Sequence, residues 1–276
     1  MQKEYRACPV MPILSVTALY TFSHRRFEAG YSFAGESHAF PEAVLVTEGR
    51  AGITAGSDVF ILSRGDMILH PAQEFHKLWS DGSPFSVVVV SFGTREDFLP
   101  KTRVLSLGDA GVERLLSIYG DASRAFDLDT VHVAGVAKGK EVEAAEAVKR
   151  LEQFLLPFAA GGDDKSPVYS GRGASNFKAV LRVMEAHLSE KLSVERLATL
   201  AHMSVPTMEK TVHRFTGYGA SAYYNILRMR EADRYLAAGH TVKEAAAAIG
   251  FKSQNYFSAA YKKWAGHPPS EKGILS

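Results

Sequence analysis

The sequence predicts an α+β protein with an N-terminal β-barrel domain, helices after it, and a C-terminal all-α domain. Short apolar runs between turn signals recur about every ten residues from Leu14 to Phe92, as in a sandwich or small barrel. From Asn176 to Ala265 the apolar residues follow helical spacing instead. Between these parts, residues 159–173 are rich in glycine, charge and proline, which disfavours packing. The predicted boundaries are therefore 1–158 for the first domain, 159–173 for a linker and 174–276 for the second domain.

Composition is that of a folded protein in a reducing compartment. Of the 276 residues, 46% are hydrophobic and 22% are charged, which is ordinary for a globular chain. No run approaches the roughly 18 apolar residues of a membrane helix, and residues 1–12 lack the pattern of a signal peptide. The single cysteine, Cys8, excludes an internal disulfide and a cysteine-rich zinc site. We therefore expect a cytoplasmic protein with no membrane association.

Charge is unevenly divided along the chain. Residues 174–276 carry 14 Lys and Arg against 8 Asp and Glu, a net charge of +6. The rest of the chain carries 18 against 22, a net charge of −4. A basic helical segment is the electrostatic signature of a nucleic-acid binder.

Several helices are predicted between the barrel and the C-terminus. Residues 108–129 are interpreted as a helix and a turn, and residues 142–156 as an amphipathic helix that Pro157 should end. The apolar stripe of the second helix fits either a core or a dimer interface, and both remain open; its members are Val142, Ala145, Val148, Leu151, Phe154 and Leu155. In the first domain, the apolar run from Val87 to Val90 predicts a strand buried on both faces.

Two pairs of short helices are predicted in the C-terminal domain. Thr241 and Glu244 form a capping box at the start of a helix that Gly250 ends, and Ser253 then caps another helix. Upstream, helices are expected after the caps Ser193 and Ser204, followed by a long helix over residues 221–238. Each pair of short helices predicts a helix-turn-helix, although one such pair alone would also fit an ordinary αα-hairpin.

An internal repeat favours the helix-turn-helix interpretation. Three residue pairs match at a spacing of 49 residues: Met208 with Phe257, Val212 with Tyr261, and Gly217 with Gly266. Two copies within the basic segment are hard to explain as coincidental hairpins.

The C-terminal domain resembles the AraC/XylS family of bacterial transcription regulators. The residues that carry this resemblance are Leu197-Ala198, Ser204, Leu227-Arg228, Ala232, Leu236, Val242, Ala246, Gly250-Phe251, Gln254, Tyr256-Phe257, Tyr261-Lys262, Gly266 and Pro269. The resemblance implies seven helices, with two recognition helices that enter successive major-groove segments of double-stranded operator DNA. It also implies a homodimer formed through the 142–156 helix, and RNA polymerase as a possible partner.

The predicted DNA contacts lie on the outward faces of the two recognition helices. In the first helix-turn-helix they are Ser204, Thr207, Glu209, Lys210 and His213, and in the second they are Ser253, Gln254, Asn255, Ser258 and Lys262. Val212 stands where the family favours phenylalanine, and Ala259 stands at a commonly basic position. We therefore expect a less basic reading surface than is usual for the family.

The N-terminal domain resembles the two motifs of the cupin barrel. The first motif is seen in residues 35–42 with Gly49, and the second in Gly65-Asp66, Pro71 and His76. Metal-binding cupins have two histidines and a glutamate in the first motif and one histidine in the second. Here Phe40 occupies the second histidine's place, so we expect no metal and no other cofactor. The predicted ligand-binding residues are His38, Phe40, Glu42, His76 and Trp79.

These observations predict a sequence-specific DNA-binding regulator whose N-terminal domain senses a small molecule. We expect no enzymatic activity, because the sequence contains no nucleophile–base motif, phosphate loop or complete metal-ligand set. Two alternatives remain open. One is a cupin-type metal enzyme with an appended DNA-binding domain, and the other is a regulator that has no effector.

Overall fold

The computed structural model describes residues 8, 12–95, 99, 101–129, 132–159 and 172–274. Most of the predicted N-terminal arm, 1–11, and positions 160–171 of the predicted linker lie outside the described residues. The chain forms two compact units, one of residues 1–56 and 60–168, the other of residues 57–59 and 169–276. No helix in the described part is long and apolar enough to span a bilayer.

The first eight strands of the first unit form two β-sheets and not the predicted barrel. These strands are β1 (Val16–Phe27), β2 (Glu42–Glu48), β3 (Arg50–Ala55), β4 (Asp58–Ser63), β5 (Asp66–His70), β6 (His76–Ser80), β7 (Phe85–Thr94) and β8 (Arg103–Ser106). One sheet has the order β1-β7-β2-β5-β8 and the other has the order β4-β3-β6. Among the described residues these sheets do not close on each other. Gly49, at φ +67°, turns the chain from β2 in one sheet to β3 in the other.

The five-stranded sheet is covered on both faces. One face packs against the three-stranded sheet through a cluster that includes Val44, Ile53 and Val87. The other face packs against two helices through a cluster that includes Leu45, Val88 and Leu151. Adjacent residues of one strand point to opposite faces, so both Val87 and Val88 are fully buried. This confirms the prediction made from the continuous apolar run.

The segment between the sheets and the second unit differs from its prediction in two places. Helix α1 (Gly108–Ala125) is followed by a hairpin of β9 (Phe126–Leu128) and β10 (Val133–Val136), where the sequence predicted a turn. Helix α2 (Glu141–Ala159) continues past Pro157, where it was expected to end. Proline removes one backbone hydrogen bond, and only in the last turn of α2. Phe158, buried in the core shared with α1, accompanies this extension.

The second unit is helical, as predicted. It contains α3 (Arg172–Ala186), α4 (Val194–Leu200), α5 (Val205–Thr216), α6 (Ala220–Ala237), α7 (Val242–Ala248), α8 (Gln254–Ala265) and a 3₁₀ helix (Pro269–Ile274). Helix α3 begins four residues before the predicted start. The family resemblance implied seven helices, and the described residues of this unit show six α-helices and the 3₁₀ helix.

Helix α6 lies between the two pairs of short helices. On one side Tyr223 of α6 lies close to Phe177 of α3, which packs on Phe215 of α5. On the other side, residues of α6 including Ala232 share a cluster with Ala245 of α7 and Phe257 of α8. The long helix therefore supports both helix-turn-helix units.

Candidate nucleic-acid interface and histidine–glutamate cluster

The second helix-turn-helix has the caps that its sequence predicts. The Thr241 hydroxyl accepts the Glu244 N–H, and the Glu244 carboxylate accepts the Thr241 N–H, so the capping box is complete. Gly250 has a left-handed backbone at φ +71°. Ser253 accepts the Tyr256 N–H at the start of α8. These contacts fix where α8 begins and thus which of its residues form the exposed first turn.

The first helix-turn-helix is built in the same way with one difference in its turn. Ser193 caps α4 by accepting the Arg196 N–H, and Ser204 caps α5 by accepting the Thr207 N–H. Between the two helices, His202 has φ +54°, a conformation that is uncommon for residues other than glycine. No sequence signal had marked this position.

Most of the predicted DNA contacts lie on exposed helix faces. In the first helix-turn-helix the exposed residues are Ser204, Thr207, Lys210 and His213. In the second helix-turn-helix they are Ser253, Gln254, Asn255 and Lys262, whereas Ser258 is half-buried. The opposite faces of the helices are buried and contain Met208 and Val212 in α5, and Phe257 and Tyr261 in α8. Polar groups are therefore presented at the N-terminal turns of both recognition helices.

Glu209 is already engaged within the protein. Its Oε2 accepts the Ala220 N–H at 3.0 Å, at the first turn of α6. The preceding residue, Gly219, provides no side-chain cap for that helix. A carboxylate at a helix N-terminus satisfies a free N–H and stabilises the helix dipole. Glu209 therefore joins α5 to α6, a role that its outward position in the helical pattern did not reveal.

One residue of the exposed surface was missed as a candidate contact. Tyr256 in the first turn of α8 is 69% exposed, and its ring lies 5.8 Å from that of Phe251. It follows Gln254 and Asn255 and lies outside the apolar stripe of the helix. An aromatic residue off the stripe of a short amphipathic helix was the signal available in the sequence.

Arg228 links the segment that precedes the first helix-turn-helix to the second helix-turn-helix. This α6 residue is buried, and its guanidinium donates to the carbonyls of Leu188, at 3.3 Å, and Ile249, at 2.5 Å. Its charge also lies 5.3 Å from the centre of the Phe251 ring. Leu188 precedes the first helix-turn-helix, whereas Ile249 lies in the turn of the second helix-turn-helix. One side chain therefore holds the segment before the first helix-turn-helix and the turn of the second against the same helix.

A cluster of histidine and glutamate side chains occupies the first unit. Ser91 donates to Glu42 Oε2 at 2.7 Å, and Glu42 Oε1 lies 3.4 Å from His76 Nε2. His38 Nε2 lies 3.5 Å from Glu42 Oε2, and Glu36 Oε1 lies 3.7 Å from His76 Nε2. The structure thus brings together the predicted residues His38, Glu42 and His76, and adds Glu36.

The cluster is strongly polarised. Burial raises the pKa of Glu42, but its polar contacts with His38 and His76 outweigh burial and hold the pKa well below its usual range. Burial lowers the pKa of His76, but the Glu36 and Glu42 carboxylates outweigh that effect and raise it to about 10. Close opposite charges therefore determine the protonation of this buried group.

Aromatic rings extend from the cluster. The rings of His38 and Phe40 stack with centroids 4.0 Å apart, and Tyr20 stacks on Phe40 at 3.8 Å. On the other side, the rings of His70 and His76 are 4.6 Å apart. Tyr20 and His70 were not among the predicted ligand-binding residues. They come from β1 and β5, which only the sheet pairing brings to this place.

Trp79 is not brought together with the other predicted ligand-binding residues. It is three residues after His76 on β6, so its side chain points to the opposite face of the strand. There its ring covers Gly52, where an added Cβ would lie 2.3 Å from the ring. Phe40 does lie beside the cluster, stacked on His38, and Glu36 supplies an additional potential ligand that the sequence had not indicated. Glu36 lies two residues before His38, which is the signal that could have found it.

Comparisons with known proteins identify the second unit. A family model described as a helix-turn-helix domain matches residues 197–272. The HTH-type transcriptional regulator GbdR of two Pseudomonas aeruginosa strains is 26% identical over 147 residues, which cover 51% of this chain and 39% of each relative. The aligned region thus spans about two fifths of the length of these curated relatives.

Two solved structures illustrate the similarity. An AraC-type regulator from Chromobacterium violaceum is 26% identical, with 36% of this chain and 88% of that chain covered and a TM-score of 0.34. Fatty-acid-bound ToxT from Vibrio cholerae is 11% identical, with 93% and 95% covered and a TM-score of 0.35. The paired units on α6, together with the family model and GbdR, define a protein with a bipartite helix-turn-helix domain. These findings place an AraC-type helix-turn-helix domain in the second unit of the chain.

Proposed function

We propose that this chain is a sequence-specific DNA-binding transcriptional regulator. One observation carries the proposal: two capped recognition helices, α5 and α8, present exposed polar first turns while α6 supports both. Free N–H groups and serine hydroxyls at such helix starts are suited to phosphate contacts. The net positive charge of residues 174–276 favours the same partner. We propose the cytoplasm as the site of action, because that is where bacterial operator DNA lies.

Base reading is assigned to the exposed residues of the two helices. Gln254 and Asn255 can each pair with adenine through two hydrogen bonds, and Lys210 and Lys262 can contact guanine or phosphate. Thr207, His213 and Ser258 complete the proposed contact set, with Ser204 and Ser253 at the phosphates. Glu209 is proposed to act through α6, whose first turn it caps, and Tyr256 is added as a contact.

The first domain, proposed as residues 1–158, is assigned effector binding and dimer formation. The proposed effector contacts are His38, Phe40, Glu42 and His76, which lie together. For a dimer, the stripe residues Leu151, Phe154 and Leu155 are buried in the unit's own core. The remaining exposed side of α2 contains Val142, Ala145 and Leu156 at helical spacing. We propose this side as the dimer contact, and RNA polymerase as a partner of the assembled regulator.

The test is selection of operator sequences from randomised duplex DNA with the full chain. Two reading helices in one chain should enrich two short boxes about ten base pairs apart, which is about one helical turn. Binding should weaken steeply as salt rises. Enrichment of one box per chain, or of no sequence at all, would contradict the proposal. Replacement of both Gln254 and Asn255 by alanine should relax preference at one box only.

A metal-dependent enzyme with an appended DNA-binding domain is the second candidate. The observation that favours it is the convergence of Glu36, His38, Glu42 and His76. It predicts turnover of a small molecule that is lost on His76→Ala, whereas an effector site predicts binding without turnover. Product analysis of candidate ligands after incubation with the full chain separates the two.

A further inference from the structure

Four potential metal ligands converge on one point in the first unit. Glu36, His38, Glu42 and His76 each offer one ligand atom, and these four atoms all lie within 4.8 Å of one another. They come from β2, β6 and the segment that precedes β2. We propose that this cluster binds one divalent first-row transition-metal ion per chain.

The distances fit a common coordination centre. Ligand atoms about 2.1 Å from one metal are about 3.4 Å apart in a tetrahedron and about 4.2 Å apart when opposed in an octahedron. The recorded separations are 3.4 Å from Glu42 to His76, 3.5 Å from His38 to Glu42 and 3.7 Å from Glu36 to His76. Only small side-chain movements would bring all four atoms into coordination.

Both histidines are oriented as metal ligands usually are. His38 Nδ1–H donates to the Phe40 carbonyl at 2.7 Å, and His76 Nδ1–H donates to the Glu74 carbonyl at 3.1 Å. In the neutral ring, this second hydrogen bond leaves the Nε2 lone pair directed into the cluster. Both Nε2 atoms are buried and accept no hydrogen bond from any residue that the structure describes, although carboxylate oxygens of Glu36 and Glu42 lie 3.4–3.7 Å away. His76 is only 4% exposed, so water does not readily solvate that atom.

Charge also favours a cation at this point. Glu42 is 7% exposed, and Glu36 Oε1 lies 3.7 Å from His76 Nε2. The buried carboxylate of Glu42 requires compensation, and the half-exposed carboxylate of Glu36 adds a second negative charge. A divalent ion would compensate both and would occupy both histidine lone pairs.

The donor set selects the class of metal. Two imidazole nitrogens and two carboxylate oxygens suit Zn²⁺, Mn²⁺, Fe²⁺, Co²⁺ or Ni²⁺, whereas Mg²⁺ and Ca²⁺ prefer oxygen alone. Glu36 is held beside His76 by paired backbone hydrogen bonds of 2.9 Å, yet its side chain is half exposed. It is therefore the ligand from which solvent can reach the ion.

The experiment measures metal binding by the full chain. The purified protein is stripped with a chelator, loaded with Zn²⁺ or Co²⁺ and dialysed, and its metal content is measured by mass spectrometry. We expect one ion per chain, and for Co²⁺ a visible absorption band that reports nitrogen and oxygen ligation. Glu36→Gln and His76→Ala should each lower affinity at least about tenfold, as loss of support at metal sites does.

Two variants keep the test decisive. Glu36→Gln changes a half-exposed side chain and leaves the backbone bridge to His76 intact, so it should fold even if His76→Ala does not. His24→Ala removes an exposed histidine of β1 outside the cluster and should retain full metal binding. Less than about one tenth of an ion per wild-type chain, or equal binding by Glu36→Gln and His24→Ala, would overturn the proposal. Because no DNA is used, the result is independent of the proposed regulatory function.

Discussion

The carbonyl oxygen of Ser189 lies where a Cβ at position 250 would stand: a Cβ added to Gly250 would be 2.0 Å from it. Ser189 precedes the first helix-turn-helix, and Gly250 is in the turn of the second. The absence of a side chain at Gly250 therefore permits the turn of the second helix-turn-helix to meet the backbone that precedes the first, close to Arg228. This contact explains why glycine is needed here beyond its role in ending α7.

Gly250→Ala should strongly destabilise the C-terminal helical unit. The substitution adds left-handed backbone strain at φ +71° and a clash with backbone that cannot move freely. We expect a loss of at least about 2 kcal/mol in the free energy of unfolding, measured by denaturant titration. Gly239→Ala is the matched control, because Gly239 has φ +86° but the described residues beyond its chain neighbours place no atom within 4 Å of the added Cβ. It should cost about 1 kcal/mol from strain alone. Equal losses for the two variants would exclude the close contact as the cause.

Arg228→Met should show whether Arg228 sets the relative position of the two helix-turn-helix segments, as distinct from the folding of each segment. The variant keeps an apolar stem but removes the donors to Leu188 and Ile249, which should cost about 1–3 kcal/mol of stability. Under conditions where the variant remains folded, we expect affinity for a two-box operator to fall more than affinity for a single box. Gel-shift titration with both DNA types measures this. Arg234→Met is the control, since Arg234 is exposed and pairs with Glu231 on its own helix. If both DNA types weaken equally, Arg228 does not set the alignment.

Glu209→Ala should affect stability more than base preference. The substitution removes the acceptor of the Ala220 N–H and leaves the start of α6 without that cap. We expect a loss of about 0.5–2 kcal/mol in the free energy of unfolding. Glu209→Gln, which retains an acceptor oxygen, should recover part of it. A changed base preference at unchanged stability would instead support a direct contact of Glu209 with DNA.

Lysine substitutions should reveal the DNA-facing surface through salt dependence. Lys210→Ala and Lys262→Ala each remove one exposed positive charge from a recognition helix. If each lysine contacts phosphate, the slope of log affinity against log salt should decrease by about one. Lys138→Ala, an exposed change in the first unit, should leave the slope unchanged. Fluorescence anisotropy at several salt concentrations measures the slopes. An unchanged slope for Lys210→Ala and Lys262→Ala would exclude phosphate contacts by these residues.

The local features of the second unit could be predicted because they depend on neighbouring residues. The caps Ser193, Ser204 and Ser253 and the Thr241–Glu244 box each act over three residues, so the chain itself specifies them. The first unit was harder. Strand spacing is the same in a sandwich and a barrel, and the choice between them depends on which strand edges pair.

The histidine–glutamate cluster shows the same limit within one site. His38, Glu42 and His76 were found from their motifs, but Glu36 was missed and Trp79 was wrongly grouped with them. Glu36 is brought to His76 by a backbone bridge between segments 40 residues apart in sequence. The side of β6 on which Trp79 lies follows from its register with β3.

By itself, the sequence determined the helical second unit, its caps and its two related helix-turn-helix segments, because helix formation and capping are local. Only the tertiary structure decided that two sheets form instead of a barrel, that Glu209 caps α6, and that Arg228 and Gly250 join the segment before the first helix-turn-helix to the second helix-turn-helix. These features depend on contacts between residues far apart in the chain, which periodicity and spacing do not encode.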